Sequence, residues 1–145
     1  VWAACGSQYF LVDQVRDRMS FSATLRAIET LSMKWPMAHA KLVEAKANGP
    51  GVVDVLKDKI PGLVLIEPQG GKEARANAIE PLWEAGNVFL PEPDKAPWVH
   101  DFVEELVTFG SSLHDDQVDA MSQALIRLSE RSARLQNFEA SMRNI

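Results

Sequence analysis

The sequence predicts an α/β fold in which an antiparallel hairpin is followed by parallel strands joined by helices. Three observations carry that reading. The chain up to Val15 consists of two extended runs around Gly6-Ser7. The apolar runs Lys41 to Ala45 and Leu63 to Ile66 enclose one helical segment. Beyond them, helical stretches alternate with the short strand Val88 to Leu90.

Each element has a local cause. Val1 to Cys5 is apolar and Tyr9 to Val15 is rich in β-branched and aromatic residues, so both favour extended chain, with a turn at Gly6-Ser7. From Ser22 to Trp35, Leu25, Ile28, Leu31 and Trp35 recur at the spacing of one helix face, and Pro36 closes the segment. Lys41 to Ala45 reads as a strand. Asn48-Gly49-Pro50 then turns the chain and places proline at the start of a helix over residues 50–59. Pro61-Gly62 leads into Leu63-Val64-Leu65-Ile66, an unbroken apolar run of the kind found in strands covered on both faces. Strand, helix and strand make a parallel unit.

A second helix spans 72–85 and stops at Gly86, and the strand Val88 to Leu90 is bounded by Pro91 and Pro93. A third helix covers 98–109. The last long helix starts near Ser112 and passes Leu128, with Val118, Met121, Leu125 and Leu128 as its core-facing stripe. The domain is thus read as 1–130, and 131–145 as a polar tail that frays or is ordered only by a partner.

Composition narrows the function classes. With 145 residues, 46% of them hydrophobic, the chain can bury one core but not two. The single cysteine, Cys5, excludes a disulfide framework or a cysteine zinc site within the chain and reads as a small core residue. No apolar run approaches the roughly 18 residues of a membrane span, and the first residues lack a signal-peptide pattern, so a soluble, cytoplasmic protein without a membrane partner is expected. A net charge of −5 does not suit a domain that holds nucleic acid by bulk electrostatics. A nuclease that carries divalent cations can nevertheless be acidic, because the ions supply positive charge where carboxylates concentrate. The sign of the charge decides little.

The densest chemical signal is His114-Asp115-Asp116-Gln117-Val118-Asp119-Ala120 at the start of the last helix. Ser112 and Asp115 have the spacing of a capping box, and acids near a helix N-terminus also oppose its positive pole. Asp116 and Asp119 are three apart and share a helix face, as two carboxylates holding an ion must. The same stripe continues through Gln123, Arg127 and Glu130, however, which is equally the pattern of a solvated face. Ala120, Ala124 and Ile126 flank it and would let neighbouring elements approach. His114 is either a solvated terminal residue or a neighbour of metal or phosphate.

Glu44 is the second informative residue, because it ends an apolar strand just before a turn. Sites in open α/β sheets gather at such carboxyl ends. An ordinary ion pair with Lys41 or Lys46 would also explain it.

Four segments in order carry a resemblance: Leu42-Val43-Glu44-Ala45-Lys46-Ala47-Asn48-Gly49, Gly71-Lys72-Glu73-Ala74-Arg75, Trp83-Glu84-Ala85-Gly86-Asn87-Val88 and His114 to Ala120. Together they resemble the C-terminal nuclease domain of phage and prophage terminase large subunits. The likeness runs from the strand containing Tyr9 to about Leu128. It implies an RNase H-like fold, a mixed sheet flanked by helices, with acids on the first strand, a central strand and the last helix. Glu44 then matches the central-strand acid and Asp116 the helix acid, with Asp119 beside it. Where the family often has a second acid after the strand glutamate, Ala45 stands here. The first-strand aspartate would precede Val1, so the nuclease domain is expected to be N-terminally incomplete and inactive alone.

The resemblance implies two Mg²⁺ or Mn²⁺ ions serving phosphodiester hydrolysis of double-stranded, concatemeric viral DNA. Glu44, Asp116 and Asp119 are the expected ligands, with Asp115 and His114 as further metal candidates; carboxylates are hard oxygen donors suited to such ions. Lys72 and Arg75, behind Gly70-Gly71, and Lys46 are the expected DNA-backbone contacts. Gly-Gly-Lys here is not a phosphate-binding P-loop. Implied partners are DNA, a terminase ATPase domain in the same full-length chain, the small terminase subunit and the portal, in a bacterial host cell. Two other readings stand beside this one: a resolvase- or integrase-type RNase H-like enzyme, and a non-catalytic module whose acidic helix and tail dock a portal or motor.

Overall fold

A computed structural model of the protein describes residues 1–111 and 115–142, with the side chains of 136–140 set aside. The element order is β1 (Trp2–Cys5), β2 (Gln8–Leu11), α1 (Phe21–Lys34), β3 (Lys41–Glu44), α2 (Gly49–Leu56), β4 (Leu63–Ile66), α3 (Lys72–Glu84), β5 (Val88–Phe89), α4 (Val99–Val107) and α5 (Asp116–Met142). The α/β class is as expected. The chain divides into two compact units, one made of Val1–Gln14 with the chain from Gly70 onward, the other of Val15–Gln69.

The first unit contains a mixed sheet in the order β1-β2-β5. β1 and β2 are antiparallel, with Trp2 opposite Leu11 and Cys5 opposite Gln8, and β2 runs parallel to β5, with Tyr9 opposite Val88. Gly6, at φ +59°, supplies the left-handed backbone that a two-residue hairpin turn requires. Helix α5 packs against α3, α4 and β1. The core joins Tyr9 and Leu11 of β2, Ile79 of α3, Phe102 of α4 and Val118, Met121 and Leu125 of α5, all buried. The apolar stripe read on the last helix is therefore its packed face, and Leu128 packs at the edge of the same cluster. Trp2 leans on Phe102 with ring centroids 6.2 Å apart, closing one end of the core.

Two expectations change in this unit. Cys5 is exposed, because only Trp2 among the β1 side chains is partly covered. The segment from Arg131 continues as helix to Met142, so α5 runs on past the end expected for the domain.

The second unit holds α1, the parallel pair β3-β4, and α2. The pair is in register from Lys41 opposite Leu63 to Glu44 opposite Ile66. Its core is Val52 and Leu56 of α2 with Ile60, against which Leu25 and Ile28 of α1 and Leu63 of β4 pack. Helix α1 starts one residue earlier than the periodicity indicates, because the Ser20 hydroxyl accepts the Ala23 amide as an N-cap. Pro50 lies in the first turn of α2, as expected from its missing N–H.

Candidate functional site

The first turn of α5 gathers Asp115, Asp116 and Asp119, and neighbouring helices determine what each carboxylate does. Asp115 is the residue from which α5 starts, its carbonyl accepting the Asp119 amide at 2.9 Å. Its side chain does not turn back on the helix. Lys72 Nζ, from the first residue of α3, donates to Asp115 Oδ1 at 2.6 Å. That hydrogen bond is the main reason the Lys72 ammonium is held above its ordinary pKa of 10.5; desolvation opposes it, and the charges of Asp115, Asp119 and Asp116 add to it. Both partners are partly exposed, at 46% and 32% of their side-chain surfaces, so solvent screens the pair.

Asp119 is in a different environment. It sits beside Arg75 of α3, and the two side chains retain only 12% and 9% of their exposure. Arg75 Nε donates to Asp119 Oδ1 at 3.1 Å and Nη2 donates to the same oxygen. Gln123 Nε2 joins them at 3.3 Å, so the hydrogen bonds to the Asp119 carboxylate among the described residues converge on Oδ1. The remaining arm of the guanidinium, Nη1, donates to the Gly70 carbonyl at 2.8 Å and so ties the entry of α3 to the same pair. Asp116 is therefore exposed on the helix surface, whereas Asp119 is largely covered.

The buried face of this turn rests on an acid that the sequence reading did not single out. Glu105 of α4, 5% exposed, accepts the Gln117 amide at 2.6 Å and the Val118 amide at 3.2 Å on Oε1. Its Oε2 accepts Gln117 Nε2 at 2.6 Å, and Gln117 Oε1 in turn accepts Gln14 Nε2 at 2.6 Å. The signal was present in the sequence: Glu105 follows Phe102 by three positions, on the stripe that α4 buries with Val99 and Phe102. An acid at a core-facing position of an amphipathic helix needs a partner. Which partner it takes was not readable.

In the second unit, Glu44 is the last residue of β3 and is half-buried. The Ala45 amide donates to the Ile66 carbonyl at 2.8 Å, carrying the parallel pairing one step beyond the strand. The chain then turns sharply enough that a Cβ on Gly49 would stand 1.8 Å from the Glu44 carbonyl oxygen, so this position admits no side chain. Ala47, at φ 48°, takes the left-handed conformation in the same turn. Lys46 is exposed.

Of the three cations expected to face DNA, Lys46 and Lys72 are exposed and Arg75 is bound to Asp119 and Gly70 within its own unit. His114, and the Ser112 half of the capping box, lie outside the described residues. Among the described residues no three His, Cys, Asp or Glu side chains come together as a metal-holding group. The acids present are nevertheless of the oxygen-donor class that binds Mg²⁺ or Mn²⁺. Among the described residues no helix is long and apolar enough to cross a membrane.

Residues 3–128 match the family model of the terminase RNaseH-like domain, and the chain belongs to that family. The match spans both units and every element from β1 into α5. No curated protein and no solved structure matches the chain.

Proposed function

We propose, from the chain's membership of the terminase RNase H-like family, that it is the metal-dependent endonuclease domain of a DNA-packaging terminase. Its substrate is double-stranded, concatemeric viral DNA in a bacterial host cell. The match over residues 3–128 is the observation that carries this reading, and the acidic first turn of α5 is its chemical support. The same reading makes the ATPase domain of the full-length chain, the small terminase subunit and the portal its partners.

In this reading Glu44, Asp116 and Asp119 are the carboxylates that would hold two Mg²⁺ or Mn²⁺ ions, with Asp115 and His114 as further candidates. When bound, the ions supply an activated water and stabilise the leaving oxygen of an in-line displacement. The chain's own residues provide the rest. Asp116 stands exposed at the helix start. Asp119 has Oδ1 fixed by Arg75 and Gln123, which leaves Oδ2 as the donor and its direction set. Arg75 thus acts through Asp119, while Lys72 and Lys46 are the solvent-facing cations suited to the DNA backbone.

The test is nicking of supercoiled plasmid by the full natural chain with Mn²⁺. Glu44→Ala and Asp116→Ala are each expected to lower cleavage by about a hundredfold or more, the scale reached when an electrostatic stabiliser is removed from an active site. Cleavage by Glu44→Ala equal to that of the parent overturns the assignment. The engagement of Asp115 and Asp119 by Lys72 and Arg75 favours one other reading, a non-catalytic docking module. Calorimetry separates them: a full-length protein that takes up no Mn²⁺ is the docking module.

A further inference from the structure

We propose that Glu105 is the positioning residue for the carboxylates of α5, capping that helix from α4 in place of a residue of its own chain segment. The inference rests on the reading of Asp116 and Asp119 as metal ligands. A helix leaves its first N–H groups without partners, and the residue at its start normally accepts the amides two or three positions on. Asp115 has that place by its backbone, its carbonyl accepting the Asp119 amide. Its carboxylate is turned instead to Lys72. The two amides it would otherwise cap, those of Gln117 and Val118, both donate to Glu105 Oε1.

This exchange has a geometric consequence. Two consecutive amides bound to one oxygen, and the Gln117 side chain bound to the other, set both the height and the rotation of the first turn. Asp116 directly precedes Gln117, and Asp119 directly follows Val118. The directions of both carboxylates therefore follow from where Glu105 holds these amides. The contact lies in the interior, since Glu105, Gln117 and Val118 are 5%, 7% and 1% exposed, so water does not replace it when it is lost. A negative charge at this end also opposes the positive pole of a long helix. The arrangement frees Asp115 for Lys72 and leaves Asp116 facing solvent, so the acids are available because another acid does the capping.

The test compares Mn²⁺ titrations of plasmid cleavage by the full natural chain carrying Glu105→Ala, Glu105→Gln or Phe102→Leu. Glu105→Ala is expected to need about tenfold or more Mn²⁺ for half-maximal cleavage, as when a group that orients a metal ligand is removed. Glu105→Gln keeps one oxygen for both amides and restores most of the metal requirement. Phe102→Leu, one turn earlier on the same buried stripe, lowers the melting temperature but leaves the metal requirement unchanged. A Glu105→Ala protein that is folded and has the parent's Mn²⁺ requirement, or one shifted no more than Phe102→Leu, overturns the proposal. Should Glu105→Ala fail to fold, Glu105→Gln carries the test: the NMR amide shifts of Gln117 and Val118 must move together with the metal requirement, and an unmoved requirement overturns it. Asp116→Asn separates the two levels. Undiminished cleavage by Asp116→Asn removes the ligand reading and this inference with it, whereas lost cleavage with unaltered Glu105 variants removes the positioning role alone.

Discussion

The start of α5 and the end of β3 each carry acids proposed as metal ligands, and they hold them by different means. At β3 the support is backbone. Glu44 is followed at once by the Ala45–Ile66 bridge, by the left-handed Ala47, and by Gly49 pressed against the Glu44 carbonyl. At α5 the support is side chains from elsewhere in the sequence: Lys72 lies 43 residues from Asp115, Arg75 lies 44 from Asp119, and Glu105 lies 12 from Gln117. A strand-end acid is thus positioned by a local turn, and the helix acids by neighbouring helices. Different substitutions should break the two.

The largest expected effect is at the buried pair. Arg75→Ala leaves the Asp119 carboxylate poorly solvated and without its cation, which is expected to cost about 3–5 kcal/mol in urea unfolding. A loss below about 1 kcal/mol, the value of an exposed pair, would mean that Asp119 is not held as described. Next is Gly49→Ala. The obstructing atom is a backbone carbonyl and cannot swing aside, so overpacking of about 1–3 kcal/mol is expected by the same measurement. A neutral result would put the Glu44 turn among adaptable loops and erase the contrast between the two supports.

The smallest effect belongs to the exposed pair. Lys72→Met is expected to cost less than about 1 kcal/mol, and the loss should shrink as salt is added. The sign with pH follows from the raised Lys72 pKa. A lysine whose folded value lies above its ordinary 10.5 contributes its full stabilisation below that pH and loses it as pH rises through the raised value. The difference between the parent and Lys72→Met should therefore be present at neutral pH and fade only as pH rises past the ordinary lysine value of 10.5, measured by thermal melting. A difference that grows with alkalinity would show that Asp115 is not the partner that matters.

Much of the scaffold was legible because its causes are short-range. The four-residue strands β3 and β4, Pro50 in the first turn of α2, and the Val118, Met121 and Leu125 stripe all follow from period and turn chemistry within a few positions. The place of Glu44 at the end of β3 was legible for the same reason, since a strand end before a turn is a local pattern. Reading Asp119 from helix period alone placed it on a solvated stripe with Asp116. The structure separates the two, because α3 covers one flank of that stripe and brings Arg75 to Asp119. The acceptor for the Gln117 and Val118 amides is likewise distant in the chain, Glu105 of α4, and no local pattern displays it.

The sequence by itself determined the order of strands and helices, the parallel unit whose first strand ends in Glu44, the apolar face of α5, and, through the four ordered segments, the family. Only the tertiary structure decided how the acids at the start of α5 are used. Secondary structure and turns are set by neighbours in the chain, so a sequence displays them. Ion pairs and caps between helices depend on which side chains packing brings within hydrogen-bonding reach, and that choice is made once Phe102, Ile79 and Met121 have closed the core.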